Sequence, residues 1–219
     1  MNEKFTYHIP PPCHEPIDIV HVDEHLVVVN KPAGLLSVPG RFVKDCVLNR
    51  LIETYPDVVV VHRLDLDTSG LLVFARTKLA VSEINRQFRE RSITKQYVAD
   101  VFGCVEPDSG SINFGIAPDP VNRPKQVIDD LNGRAALTHY HLMARFPKKT
   151  RLQLMPVTGR THQLRIHLAS INHPILGCDL YAHEEALSAS DRLMLHAEQL
   201  SFFHPETGER QSFSSSCPF

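Results

Sequence analysis

One short segment concentrates reactive side chains: His62-Arg63-Leu64-Asp65-Leu66-Asp67-Thr68-Ser69-Gly70. It places a cation, two carboxylates and a Gly-ended turn between two β-prone runs, VVVV (58–61) and LLVFA (71–75). Three readings fit these residues. Asp67-Thr68-Ser69-Gly70 is ordinary turn chemistry. Asp65 and Asp67 as a DxD pair offer two hard oxygens, enough for Mg²⁺ when a substrate phosphate completes the shell. Asp65 alone can act as nucleophile or base; in a dry pocket it then needs a permanent cation, or its pKa rises and it becomes neutral. Gly159-Arg160-Thr161-His162-Gln163-Leu164-Arg165-Ile166-His167 offers such a cation. Arg165 follows the apolar Leu164, at the edge of a helical stripe, as a half-buried ion-pair partner should; an exposed helix arginine is the alternative.

Other reactive patterns are weaker. His21-Val22-Asp23-Glu24-His25 matches the zinc signature HxxEH by letter. That chemistry needs a helix to put both histidines on one face, and this segment lies at an expected hairpin turn. His139 and His141 share one face of an expected strand, which alone is an ordinary strand surface. No Gly-rich phosphate loop, GxSxG elbow or CxxC is present, so nucleotide hydrolysis and Ser-triad chemistry lack support.

The elements that must position these groups follow from periodicity. Residues 1–16, with Pro10, Pro11, Pro12 and Pro16, read as a flexible arm. IDIVHV (17–22) and LVVVN (26–30) form an expected hairpin, followed by an ordered loop, KPAGLLSVPG (31–40). A helix is expected at 46–55 with Asp45 as N-cap, and an amphipathic helix at 77–91 with Leu79, Ile84 and Phe88 inward and Arg86, Arg89 and Arg91 outward. VVVV is an expected buried strand, and strands are also expected at 71–75, 95–103, 134–144 and 151–157. Short strands fit 111–116 and 125–128, a helix fits 161–172, and strand-like sequence returns at 192–205 and 209–214. Strands outnumber helices and several are hairpin-linked. The expectation is therefore one α+β domain (17–219) around a mainly antiparallel mixed sheet flanked by helices and loops.

Composition narrows the class. The chain has 219 residues, 42% hydrophobic and 22% charged, enough for a packed core and not a disordered chain. No apolar run reaches the roughly 20 residues of a membrane helix, and the polar, Pro-rich start lacks a signal-peptide core, so a cytoplasmic protein is expected. Five scattered cysteines argue against a disulfide framework or zinc ribbon. Net charge is −2, yet residues 121–170 hold nine Lys/Arg against two Asp. A polyanion feels the local field, so a basic face is expected there.

Beyond single motifs, HRLDLDTSGLLVFA resembles the catalytic motif of the RluA-type pseudouridine synthases. The resemblance continues in order through VVVNKPAGLLSVPG, QFRERSITKQYVA, NRPKQ, GRTHQLRIHLA, HPILGCDLY and RLMLHAEQLSFFHP. It covers nearly the whole chain and implies a pseudouridine synthase fold without the S4-like RNA-binding domain of some relatives.

The resemblance also implies roles. Asp65 is the essential carboxylate, attacking the target nucleoside at the uracil ring or at C1′ of the ribose. Arg165 pairs with it. Tyr97 lines the uracil pocket and accepts or relays a proton. Arg63 fills the space vacated by the everted base, and Leu195 forms an apolar pocket wall. Arg86, Arg89, Arg91, Arg123, Lys125 and Arg160 are phosphate contacts. The product is an isomer, so neither metal nor organic cofactor is implied. Partners are structured RNA, a tRNA anticodon stem-loop and a 23S rRNA hairpin, and a monomer is expected. Rival readings are a metal-dependent phosphoesterase or glycosyltransferase using Asp65 and Asp67, and a non-catalytic RNA-binding module.

Overall fold

A computed structural model describes residues 9–219. Alternating apolar residues build one large sheet. Its first hairpin is β1 (Asp18–Val22) and β2 (Leu26–Lys31), turned at Asp23, whose carboxylate accepts the N–H groups of His25 and Leu26. The HxxEH letters thus lie on a hairpin, not a helix. β2 pairs with β4 (Ser69–Ala75), which is buried along its whole length. β4 pairs in parallel with β11 (Leu195–Phe203), and β11 pairs antiparallel with β5 (Thr94–Phe102). Next come β10 (Lys149–Pro156), β9 (Leu137–Arg145) and β6 (Ser109–Asn113). β3 (Val59–Val60) and β12 (Arg210–Ser214) pair with β4 and β11, and β7 (Ile116–Pro118) forms a separate ribbon with β8 (Gln126–Ile128). The β4–β11 pairing is the one parallel ladder among the named strands, so the mainly antiparallel α+β expectation holds.

Strand alternation sends the core to both faces of the sheet. From β2 and β4, Val28, Leu71 and Val73 meet Ala80 and Ile84 of α2 (Lys78–Glu90), while Val27, Leu72 and Phe74 meet Val47 and Leu51 of α1 (Val47–Ile52). On the other half of the sheet, Leu152 and Leu154 pack against Leu164 and Leu168 of α3 (Gln163–Ser170). Tyr97 touches both the α1-side and the α3-side clusters, at the seam between the halves. Gly70 sits at φ 111°, and a Cβ there would come 2.3 Å from the Ala197 carbonyl oxygen. The parallel pairing therefore requires glycine.

Four local expectations are corrected. Asp45 does not cap α1. Cys46 is the cap, its Sγ accepting Asn49 N–H at 3.4 Å, and Asp45 instead binds Arg50 at 2.7 Å. Leu79 is 45% exposed, because the inward stripe of α2 runs through Ala80, Ile84 and Gln87, one position later. The VVVV run yields only the two-residue β3, with Val59 exposed at the end of β4. A further short helix, α4 (Glu184–Ser188), forms where no element was expected. Before β1, the Cys13 and Glu15 carbonyls accept hydrogen bonds from Arg50.

Candidate active site

The residues 62–68 form a loop between β3 and β4, and the segment 31–37 clamps it from behind. Lys31 ends the buried strand β2 and is itself fully buried. Its Nζ donates to the carbonyls of Pro32 (2.8 Å), Leu35 (2.7 Å) and Leu66 (2.8 Å). Burial pushes the ammonium down to about 7, with Asp67 and Asp65 opposing. Three carbonyl acceptors need three donors, which only the protonated amine supplies. Gly34 N–H also donates to Leu66 O at 3.0 Å. Ser37 Oγ holds Leu64, accepting its N–H and donating to its carbonyl. Both residues flanking Asp65 are thus fixed by main-chain contacts. The loop's far end is tied at Ser69, whose Oγ accepts from Arg192 at 2.7 Å and donates to His196 Nδ1 at 2.9 Å.

This loop faces a cleft of about 610 Å³. Asp65, Arg63, Tyr97, Arg165, Arg160, Leu195, Arg89 and Arg91 all contribute to its walls, so eight of the eleven sequence-derived candidates converge. Arg123 and Lys125 do not; they lie on the turn between β7 and β8, outside the cleft wall. Among the described residues, six Lys/Arg line the cleft (Arg63, Arg89, Arg91, Lys95, Arg160 and Arg165) around a single carboxylate, Asp65. Asp67 is not on that wall; burial and the nearby Asp179 hold its carboxyl above the usual range. Among the described residues no group of three His, Cys, Asp or Glu is placed to hold a metal ion.

The electrostatics differ from a simple Asp65–Arg165 pair. Arg165 is 3% exposed rather than half-buried, because all of Gln163 to Leu168 is enclosed. Its guanidinium donates to Asp179 and, through Nε, to Cys178 Sγ at 3.3 Å, and it lies 5.7 Å from the Tyr181 ring centroid. No direct ion pair to Asp65 is present among the described residues; Asp65 acts on Arg165 through its field across the shared cleft. Burial first, and the Asp65 carboxylate second, push the Tyr97 phenol well above its ordinary pKa, so it stays protonated near neutrality. His62 accepts Val73 N–H at 3.0 Å, and burial and the Lys95 charge push it down to about 3, so it is a neutral acceptor.

The basic stretch at 121–170 does not fold into one face. Arg145 binds Asp108, while Lys149 and Arg151 grip the fully buried Asp100 at 2.6 and 2.7 Å. Arg86 is held by Glu83 and Glu90 rather than offered to a ligand. The cleft draws its cations from three separate segments instead. Sequence reasoning missed Lys31, Ser37, Lys95 and His162 as site residues. The one available signal was a lysine closing a strand that opens with four apolar residues.

Comparison with known proteins places this geometry. Residues 25–170 match the family described as RNA pseudouridylate synthase. A protein of Pasteurella multocida named dual-specificity RNA pseudouridine synthase RluA is 50% identical over 208 residues, covering 94% of this chain and 95% of that one. The Escherichia coli protein of the same name is 45% identical, covering 95% and 97%. The solved structure of human RNA pseudouridylate synthase domain containing 1 superposes with a TM-score of 0.82 at 27% identity, over 96% of this chain and 87% of that one. Fold, cleft and relatives agree, and the chain belongs to the RNA pseudouridylate synthase family, as an isomerase that forms pseudouridine in RNA.

Proposed function

We propose that this enzyme modifies uridines in structured loops of two RNAs, a tRNA anticodon stem-loop and a 23S rRNA hairpin. It does so as a cytoplasmic monomer, through one catalytic domain spanning 17–219. The identity of 45–50% to proteins named dual-specificity supports two substrates. The observation that carries the site assignment is the single carboxylate, Asp65, among six cations in one cleft. Phosphates enter a field that is positive except at one point, and that point is where a reactive carboxylate is wanted.

In this reading a uridine leaves its stack, most cheaply from a loop. Asp65 attacks the nucleoside and bonds to it, the N1–C1′ bond breaks, the ring turns over, a C5–C1′ bond forms, and the bond to Asp65 breaks to return the free carboxylate. The C5 proton leaves and N1 gains one, so the product is an isomer and no redox partner takes part. Tyr97 and Leu195 wall the base, Arg63 takes its place in the stack, and Arg165 supports the carboxylate from across the cleft. Arg89, Arg91 and Arg160 contact the backbone at the cleft, Arg123 and Lys125 further out. The test is to incubate the protein with tRNA and 23S rRNA hairpins and map pseudouridine. Product in both RNA classes is expected; none in either overturns the substrate assignment.

A further inference from the structure

The Tyr181 hydroxyl serves two neighbours. It accepts the main-chain N–H of Gln126 at 2.8 Å and lies 2.8 Å from Nδ1 of His162. A phenol has one proton to give. Gln126 already points its hydrogen at the oxygen, so the remaining proton is satisfied by donation to Nδ1. The imidazole proton then resides on Nε2. That nitrogen has no hydrogen-bond partner among the described residues, and His162 lines the cleft. Burial holds His162 below the ordinary imidazole range, with Asp65 and Asp179 opposing and Arg165 and Arg63 reinforcing, so the ring is neutral at pH 7. Its backbone is left-handed, at φ 54°.

We infer that His162 is a substrate-contacting residue: its Nε2–H donates to a carbonyl oxygen of the everted uracil, and Tyr181 fixes the tautomer that makes this possible. The inference rests on uridine entering this cleft. On either route of attack by Asp65, negative charge grows on the uracil carbonyls. Attack at the ring pushes electrons onto them, and loss of the base from C1′ leaves the bond pair delocalised over them. A fixed donor aimed there is stronger in the transition state than in the ground state.

Two measurements test this. Long-range ¹H–¹⁵N correlation on the labelled full-length enzyme reads the tautomer directly: Nε2–H is expected, and Tyr181→Phe should move population to Nδ1–H. In steady-state assays on the RNA hairpin, His162→Phe should lower kcat about ten- to a hundredfold with little change in KM. His162→Gln, which retains an N–H donor, should recover most of the loss. An Nδ1–H tautomer in the unaltered enzyme, or a His162→Phe variant with unchanged kcat, overturns the inference. The tautomer reading decides even if the Phe variant fails to fold. Absence of product from the unaltered enzyme removes the substrate assignment and this inference together, whereas normal turnover beside an unaffected Phe variant removes this inference alone.

Discussion

Ser37 Oγ hydrogen-bonds both main-chain groups of Leu64, accepting its N–H at 3.1 Å and donating to its carbonyl at 2.7 Å, across 27 residues of sequence. Leu64 immediately precedes Asp65, so the carboxylate inherits its place from a serine with no part in the chemistry. Ser37→Ala removes both bonds and leaves two buried main-chain groups unsatisfied. A stability loss of about 1–3 kcal/mol is expected in denaturant titration. Turnover should fall through kcat rather than KM, since RNA contacts elsewhere are unchanged. Unchanged kcat would show that the loop does not depend on this clamp.

Asp65→Asn keeps shape and removes the nucleophile. It should bind the RNA hairpin with near-normal affinity and form product at least about a thousandfold more slowly. Asp67→Ala, off the cleft wall, should be mild, and EDTA should leave the unaltered enzyme active. A metal-dependent mechanism through Asp65 and Asp67 predicts the reverse for both. A purely RNA-binding protein predicts no pseudouridine at all.

Lys95 gives the cleft a pH dependence. Among the described residues its ammonium has one long hydrogen bond, to Thr158 O at 3.3 Å, and burial pushes its pKa from 10.5 down to about 8. Above pH 8 the folded protein loses this charge, so RNA affinity should fall more steeply there than at pH 7. Lys95→Arg should flatten that slope. Between about 8 and 10.5 the unfolded chain binds the proton that the folded chain releases, so this group's contribution to stability increases as pH rises through that window. Affinity and unfolding measured across the same pH range separate the two effects.

Gly70→Ala should be among the most damaging single changes. The added methyl would meet the Ala197 carbonyl oxygen at 2.3 Å, in a backbone of φ 111°. Separation of β4 from β11 is the only relief, and a loss of roughly 3 kcal/mol or more is expected in thermal or denaturant unfolding. A stable Gly70→Ala protein would mean that the parallel ladder yields readily.

What the sequence revealed and what it hid divide along physical lines. The continuous β-prone apolar runs LVVVN and LLVFA and the 3.6-residue period of 77–91 are local signals, and those elements formed. Asp65 and Arg63 were legible because a reactive cluster sat between two strands. Lys31 and Ser37 were not, because the bonds by which they hold the loop reach Leu66 and Leu64, 35 and 27 residues away, and no local pattern encodes a long-range acceptor. Leu79 was misplaced by one helical position, and Arg165 was expected half-buried because a stripe argument fails when a helix is covered on several sides. The charge run at 121–170 misled because strand pairing spends it on Asp100 and Asp108.

The order β4, β11, β5 has an evolutionary corollary. Asp65 lies on the loop that leads into β4, Leu195 begins β11 and Tyr97 lies in β5, so these three residues of the cleft wall are carried by consecutive strands or the loop entering one. The strands themselves stand at the roughly 4.8 Å interval of a hydrogen-bonded ladder. Insertions and deletions in the outer turns leave that interval alone, and RNA preference is free to diversify there. A slip of one residue between β11 and β5 would turn Leu195 to the opposite face. Lineages that retarget this scaffold are expected to vary its rim and keep the alignment of these three strands.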